Sequence, residues 1–211
     1  DVSQQTSGLT NNVIMKRGGN TPTLGGRIYF ADDTFQWNNH SQAMIDSGIP
    51  YMSHINQLMD FGVYVGFPLF RDKAWLFIAY DNQDTKLWNV FGTMDNFKAW
   101  SYDFKLNLQL IPQNRFEVYY RGNPKRSEGE DASPELPAGL LMGGLPKLGN
   151  PLYKIMDEHT IGDDLYLSAK YVQLGGWSQW TPMIDTERTK LALWDETNRI
   201  WKDSASRSLS A

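Results

Sequence analysis

The chain has 211 residues, a net charge of −4 and no cysteine. The absence of cysteine excludes disulfides, thiolate metal sites and thiol nucleophiles, and the small negative charge provides no basic surface for nucleic acid. Aromatic residues make up 13% of the chain, yet the mean hydropathy is −0.48. The apolar residues never form the run of about 20 that a membrane helix requires. This composition is typical of strands that alternate between apolar and polar residues.

Six segments are predicted as strands because apolar and polar residues alternate along them or because they are rich in β-forming residues. The strictest alternation lies in Asp103–Leu110, where Phe and Leu occupy one face and Asp, Lys, Asn and Gln the other. Charged or Pro-Gln-Asn turns join the segments into two hairpins. In chain order the six segments are Gly26–Ala31, Phe61–Phe70, Ala74–Tyr80, Asp103–Leu110, Arg115–Arg121 and Leu165–Tyr171.

The connections between these segments alternate between short and long. The two hairpin turns have three or four residues, Arg71–Lys73 and Ile111–Asn114, whereas the other links are predicted to be long, over 32–59, 82–99 and 122–162 and beyond 174. Helical periodicity is absent, and residues 41–44 hold a short helix at most. Short turns on one side and long loops on the other are expected of outer-membrane barrels. The sequence therefore favours an antiparallel transmembrane β-barrel, of which about six strands are present.

A soluble sheet with its apolar face turned inward has the same alternation, so it stays open as an alternative. The membrane barrel is favoured because the polar faces mix Asn, Gln, Lys and Glu, as a hydrated lumen would, and because the loop lengths alternate. Aromatic residues also lie near predicted strand ends, where interfacial girdles occur. These aromatic residues are Trp75, Tyr80, Trp100, Tyr102, Tyr119 and Tyr120.

Motifs for catalysis are missing from the sequence. It contains no phosphate loop, dinucleotide fingerprint or nucleophile elbow, so we expect neither an enzyme nor a cofactor. His40, His54 and His159 are far apart and have no second ligand nearby, so no metal site is predicted. Three tryptophans are candidates for stacking on a sugar or aromatic ligand, although we favour anchoring or loop packing for them. These candidates are Trp88, Trp177 and Trp180.

Several segments resemble TonB-dependent outer-membrane receptors, in the order found in that family. Asn11–Asn20 resembles the last strand of the plug domain, and Gly25–Phe30 the first barrel strand. Gly62–Trp75 resembles a hairpin with Gly-Gly-Pro and Lys-Asp-Lys motifs followed by aromatics, although Phe67 stands where the second Gly is expected. The closest subgroup is the Oar-like receptors, which carry a carboxypeptidase-regulatory-like domain. Two further similarities are a hairpin over Asp103–Tyr120 and an extracellular loop over Asp195–Ser204.

The resemblance implies that residues 1–24 end a plug-like segment and that residues 25–211 form the N-terminal part of a 22-stranded barrel with long extracellular loops. It implies a fragment in the bacterial outer membrane that takes up or binds a large nutrient. The expected partners are outer-membrane lipid and the remainder of the barrel or other membrane subunits. A TonB-type energy coupler would be contacted only through parts absent here.

Three alternatives stay open. The chain could be a structural or accessory subunit of an envelope membrane assembly, or a soluble all-β carbohydrate-binding module. It could also be a complete small barrel, with two more strands in 176–182 and 189–194.

Overall fold

The computed structural model describes residues 15–37, 40–49, 51–129, 142–144, 148–149, 151–182, 193–197, 200–202 and 207–210. Strands dominate these residues, beside one 3-10 helix (Asp33–Phe35) and one α-helix, α1 (Gln42–Asp46). In the described residues, no helix has the length and apolar character needed to cross a membrane. The strands are β1 (Thr23–Asp32), β2 (His54–Phe70), β3 (Ala74–Trp88), β4 (Met94–Leu108), β5 (Asn114–Gly122), β6 (Pro124–Glu128), β7 (Met142–Gly144), β8 (Leu148–Gly149), β9 (Leu152–Ile161), β10 (Leu165–Leu174), β11 (Trp177–Pro182), β12 (Leu193–Asp195), β13 (Ile200–Lys202) and β14 (Arg207–Ser210).

Twelve of the fourteen described strands form one antiparallel sheet, so the predicted all-β, antiparallel class is confirmed. β1 to β4 pair in chain order, and β5 and β6 both pair with β4 as two segments of one long strand. Pro124, which has no backbone N–H, begins the second segment and interrupts the ladder. β8 and β9 are likewise two segments of one long strand, and so are β10 and β11.

The sheet is open in the described part of the chain. β1 pairs there with β2 alone, β14 pairs with β11 alone, and β12 and β13 form a separate hairpin. Eight strands, three of them split into two segments, therefore replace the six that alternation predicted. The two additional ones are the strand of β8 and β9, which lies in the link predicted over residues 122–162, and β14, which lies beyond residue 174. The prediction of a long link over 122–162 is therefore wrong for β6, β8 and β9.

Three short turns lie at one end of the sheet, over residues 71–73, 109–113 and 162–164. Hydrogen bonds between backbones hold neighbouring turns together, from Gln109 to Lys73 at 2.7 Å and from Thr160 to Gln113 at 2.8 Å. The long link predicted over residues 82–99 is wrong, since β3 continues to Trp88 and β4 begins at Met94. Only residues 89–93 join them at the opposite end of the sheet, which we call the loop end.

The sheet face that carries the charged side chains is the more buried of the two faces. Residues directly opposite each other in an antiparallel pair share a face, so Lys105 lies beside Phe77 and Tyr119. This polar face also buries three large apolar side chains, Phe77, Tyr119 and Met156. The buried polar residues lie on the same face, and they are Thr85, Ser101, Asp103, Lys105, Asn107 and Glu117. The apolar face is the exposed one, and it carries Ile28, Val63, Ile78, Phe104 and Ile155 at 38–68% exposure.

Candidate functional site

A cluster of charges joins β4, β5 and β9 on the polar face. Glu117 is only 2% exposed, and its carboxylate lies 2.9 Å from the ammonium of Lys154 and 3.2 Å from that of Lys105. The amide of Asn107 donates to the same carboxylate at 3.0 Å, and the guanidinium of Arg115 lies 3.7 Å away. A buried charge is tolerated when it is paired and hydrogen-bonded in this way. The polar face is therefore a connected network rather than a loose set of exposed side chains.

A second carboxylate on this face is held by Tyr119, which the sequence placed among the interfacial aromatics. That prediction is wrong for Tyr119: its ring is 4% exposed and its hydroxyl donates to Asp103. The hydroxyl of Ser101 also donates to Asp103 at 3.2 Å, and the guanidinium of Arg121 lies 3.9 Å away. The network therefore continues along β4 toward the loop end.

Arg27 extends the network across three strands. From β1 its guanidinium reaches Asp60 on β2 at 3.3 Å and Asp81 on β3 at 2.8 Å. Between them lies Gly62, where a β-carbon would collide with the Asp81 carboxylate. The absence of a side chain at this position opens the path for the bridge to Asp81.

The segment of residues 15–20 lies against the polar face without forming a strand. The ammonium of Lys105 donates to the carbonyl of Met15 at 3.5 Å. The ammonium of Lys16 lies 3.9 Å from the centre of the Tyr64 ring, a cation–π contact. Both contacts connect this segment to polar-face residues of β2 and β4.

Close backbone approach fixes the same segment at a second point. Gly18 is buried against Gly66 and the backbone of Leu76, and a β-carbon on Gly18 would collide with the Leu76 carbonyl oxygen. The indole of Trp75 donates to the side-chain oxygen of Asn20 at 2.8 Å. Trp75, predicted among the interfacial aromatics, therefore also belongs to the polar face.

The exposed apolar face ends toward the loop end in a row of aromatic rings. Ring centres lie 5.8 Å apart for Phe61 and Tyr80, 5.4 Å for Tyr80 and Tyr102, and 5.0 Å for Tyr120 and Tyr153. Tyr80, Tyr102 and Tyr120 were predicted as interfacial aromatics, as was Trp100, which shares their face. We call the row the aromatic belt, and it consists of Phe61, Tyr80, Tyr102, Tyr120 and Tyr153.

Beyond the aromatic belt the same sheet face becomes polar. The ammonium of Lys98 pairs with the carboxylate of Asp84 at 3.1 Å, and that of Lys86 donates to Gln57 at 3.2 Å. On the other side of the belt, β2, β3 and β4 stay apolar up to the short turns, where Phe70 and Leu110 are 70% and 65% exposed. On β9 the same face carries Asp157, whose carboxylate accepts from the amide of Asn114 at 2.7 Å. The apolar zone is thus bounded by the short turns and by the aromatic belt.

A cavity of about 710 Å³ opens at the loop end between the β1–β2 connection and the β3–β4 turn. It contains Trp88, one of the three tryptophans proposed from the sequence. It also contains His40 and His54, for which the sequence suggested no shared site. We call it the loop-end pocket, lined by Asp33, Gln36, Trp37, His40, Tyr51, Met52, Ser53, His54, Trp88, Asn89 and Gly92.

Hydrogen bonds fix the walls of the loop-end pocket. The side-chain amide of Gln36 donates to the carbonyl of Ile55 at 2.6 Å and accepts from its N–H at 3.0 Å. The indole of Trp88 donates to Asn56 at 3.3 Å and stacks on His54 with 6.4 Å between ring centres. These contacts hold Gln36, His54 and Trp88 in place around the pocket.

The carboxylate of Asp32 holds the turn that leads into the pocket. It accepts the backbone N–H of Thr34 at 3.2 Å and the hydroxyl of the same residue at 3.1 Å. These bonds, the backbone one first, keep the pKa of Asp32 below its usual range.

Trp177 and Trp180, the other two candidates, lie on β11, which pairs with β7, β8 and β14 and not with β3. Described strand pairing therefore does not bring them beside Trp88. Sequence reasoning missed Trp37 and Tyr51, although their concentration with His and Asn in one long link was a usable signal.

Within the described residues, no three His, Asp or Glu side chains are grouped so that they could hold a metal ion. Comparisons with protein-family models, curated proteins and solved structures found no match.

Proposed function

We propose that this chain forms part of the wall of a transmembrane β-barrel in the bacterial outer membrane. The observation that carries the proposal is that charged side chains are buried on one sheet face while large apolar side chains are exposed on the other. Each large apolar side chain left in water forgoes about 1.5–3 kcal/mol of burial free energy. Hydrocarbon around the apolar face would remove this cost, while the polar face would line a hydrated lumen.

The length of the apolar zone supports a membrane. From Trp100 to the end of β4 every second residue is apolar, which matches the roughly 9–11 residues of a membrane strand. The aromatic belt would then lie at one lipid–water interface, where Tyr and Trp side chains are enriched. Hydrocarbon also requires that every backbone group be paired, so the open edges of the sheet would pair with the remainder of the barrel.

We further propose that the barrel belongs to a TonB-dependent receptor that takes up or binds a large nutrient. The order of the resembling segments supports this assignment. It is also supported by residues 15–20, which lie on the polar face as a plug connection inside a barrel would. Large outer-membrane transporters have such a plugged lumen.

Single-cysteine labelling tests the membrane proposal, because the chain has no cysteine of its own. Ile78 and Ala79 are neighbours on β3 within the apolar zone, and they face opposite sides of the sheet. We expect that a fluorophore on Ile78→Cys is quenched by nitroxides on lipid acyl chains. The full-length chain reconstituted in liposomes is used for this measurement.

Ala79→Cys is the matched control, since the label on it would face the lumen and escape the acyl-chain nitroxides. Equal quenching at both positions, or quenching at neither, would contradict the membrane proposal. Purified native protein that stays in the aqueous phase without detergent would contradict it independently.

A further inference from the structure

We infer that the loop-end pocket binds a neutral saccharide unit. This inference deepens the proposed function, because it names the class of nutrient that the loop end would receive. The volume of about 710 Å³ lies within the range of small-molecule sites, about 300–1,000 Å³. Its aromatic walls and its polar rim each point to a sugar.

Aromatic rings supply the platforms that the C–H faces of a sugar require. The indole of Trp37 is 92% exposed and the ring of Tyr51 is 52% exposed, although both line a concave site. An indole left in water at the mouth of a cavity has a large apolar face available for a ligand. Trp88 contributes a third ring, held in place by its bond to Asn56.

The charges of the pocket favour a neutral ligand. Asp33 is the one acidic residue in its described lining, and Ser53 adds a hydroxyl. Neither lysine nor arginine occurs in that described lining, so the clamp that usually recognises phosphate or carboxylate is missing. A carboxylate and a hydroxyl beside aromatic rings instead suit the hydroxyl groups of a sugar.

Pocket rigidity adds to the case. Ring nitrogens of His40 and His54 are bonded to the carbonyls of Ile49 at 2.8 Å and Met52 at 3.0 Å, which fixes both rings. Walls that are ordered in advance reduce the entropy that a ligand must offset on binding. A sugar, which has many rotatable hydroxyls and weak individual contacts, gains most from such a site.

The test is binding of neutral oligosaccharides to the full-length chain in detergent. An array that includes maltotriose, cellotriose and tri-N-acetylchitotriose identifies the best sugar, and calorimetry then compares variants. We expect Trp37→Ala to raise the dissociation constant for that sugar about tenfold, which corresponds to a loss of about 1.4 kcal/mol of binding free energy. Trp37→Phe should retain most of the affinity, because it keeps an aromatic face.

Phe35→Ala is the matched control, since Phe35 is an aromatic residue 74% exposed that does not line the pocket. It should bind the sugar as the wild type does. The inference is overturned if no neutral glycan binds, if Trp37→Ala binds as tightly as the wild type, or if only peptides bind. Quenching at Ile78→Cys is independent of these results, so failure of the pocket and failure of the membrane proposal can be told apart.

Discussion

Glu117 has little contact with solvent, and two ammonium groups and one amide surround its carboxylate. Such an arrangement is stable only while the charges balance, because a charge left alone in a buried site has a large desolvation cost. The side chains come from β4, β5 and β9, so one carboxylate holds three strands in register. A neutral residue at this position would leave Lys105 and Lys154 close together without their shared counter-ion.

Replacement of this carboxylate should therefore be costly. We expect Glu117→Gln to lower the free energy of unfolding by about 3–5 kcal/mol, the usual effect of breaking a buried pair. Denaturant titration of the full-length chain in detergent, followed by tryptophan fluorescence, measures the change. Glu158→Gln is the control, because Glu158 has a more exposed carboxylate 3.9 Å from Arg115 and should lose less than about 1 kcal/mol. Equal losses in the two variants would argue against a special role for the buried cluster.

Two neighbouring tyrosines show what alternation can and cannot predict at the residue scale. Tyr119 and Tyr120 were both predicted to be interfacial because both lie near the end of a strand. On a strand, adjacent residues point to opposite faces. Tyr120 therefore joins the aromatic belt, and Tyr119 turns to Asp103 on the polar face. Nearness to a strand end locates an aromatic along the sheet, and only the register assigns its face.

At the scale of elements, the position of residues 15–20 on the sheet depends on the close contact between Gly18 and the backbone of Leu76. Gly18 fits against Leu76 because it lacks a side chain, and Gly66 leaves room beneath it on β2. The backbone of Leu76 is fixed in the ladders with β2 and β4 and cannot retreat. A side chain at position 18 would therefore collide with Leu76 unless residues 15–20 moved away from the sheet.

We expect Gly18→Ala to release residues 15–20 from the polar face. Their backbone amides should then exchange hydrogen for deuterium faster, as in any segment with few remaining contacts. Mass spectrometry of peptides from the full-length chain detects this change. Gly19→Ala is the control, because a β-carbon on Gly19 would have no atom within 4 Å. Unchanged exchange in Gly18→Ala would contradict the docking of this segment.

The β3–β4 hairpin explains why a long loop was predicted in place of strands. Beyond Tyr80, β3 reads Asp-Asn-Gln-Asp-Thr-Lys, which is polar on both faces. Alternation identifies a strand by the difference in polarity between its two faces, and in this stretch both faces are polar. Its strand structure comes from pairing with β4, including the Asp84–Lys98 ion pair. The pairing partner, which no local pattern specifies, decides the structure here.

At the scale of the whole molecule, the two ends of the sheet differ, and this difference gives the apolar zone an orientation. The short turns at 71–73, 109–113 and 162–164 lie at one end, and the β1–β2 connection with the loop-end pocket lies at the other. The order of the hairpins followed from sequence because each hairpin is local. The split of the later strands into two segments did not follow, since it depends on interruptions such as Pro124 within a long ladder.

This orientation leads to a prediction about sidedness. In bacterial outer-membrane barrels the short turns face the periplasm and the longer loops face the exterior. We expect an epitope tag inserted after Gly48, between α1 and β2, to be bound by antibody on intact cells. The same tag between Asp72 and Lys73, in a short turn, should be bound only after the outer membrane is permeabilised. A reversed pattern would contradict the orientation while leaving the barrel intact. Access to both tags on intact cells would contradict insertion of this sheet across the membrane, because no single orientation exposes both ends.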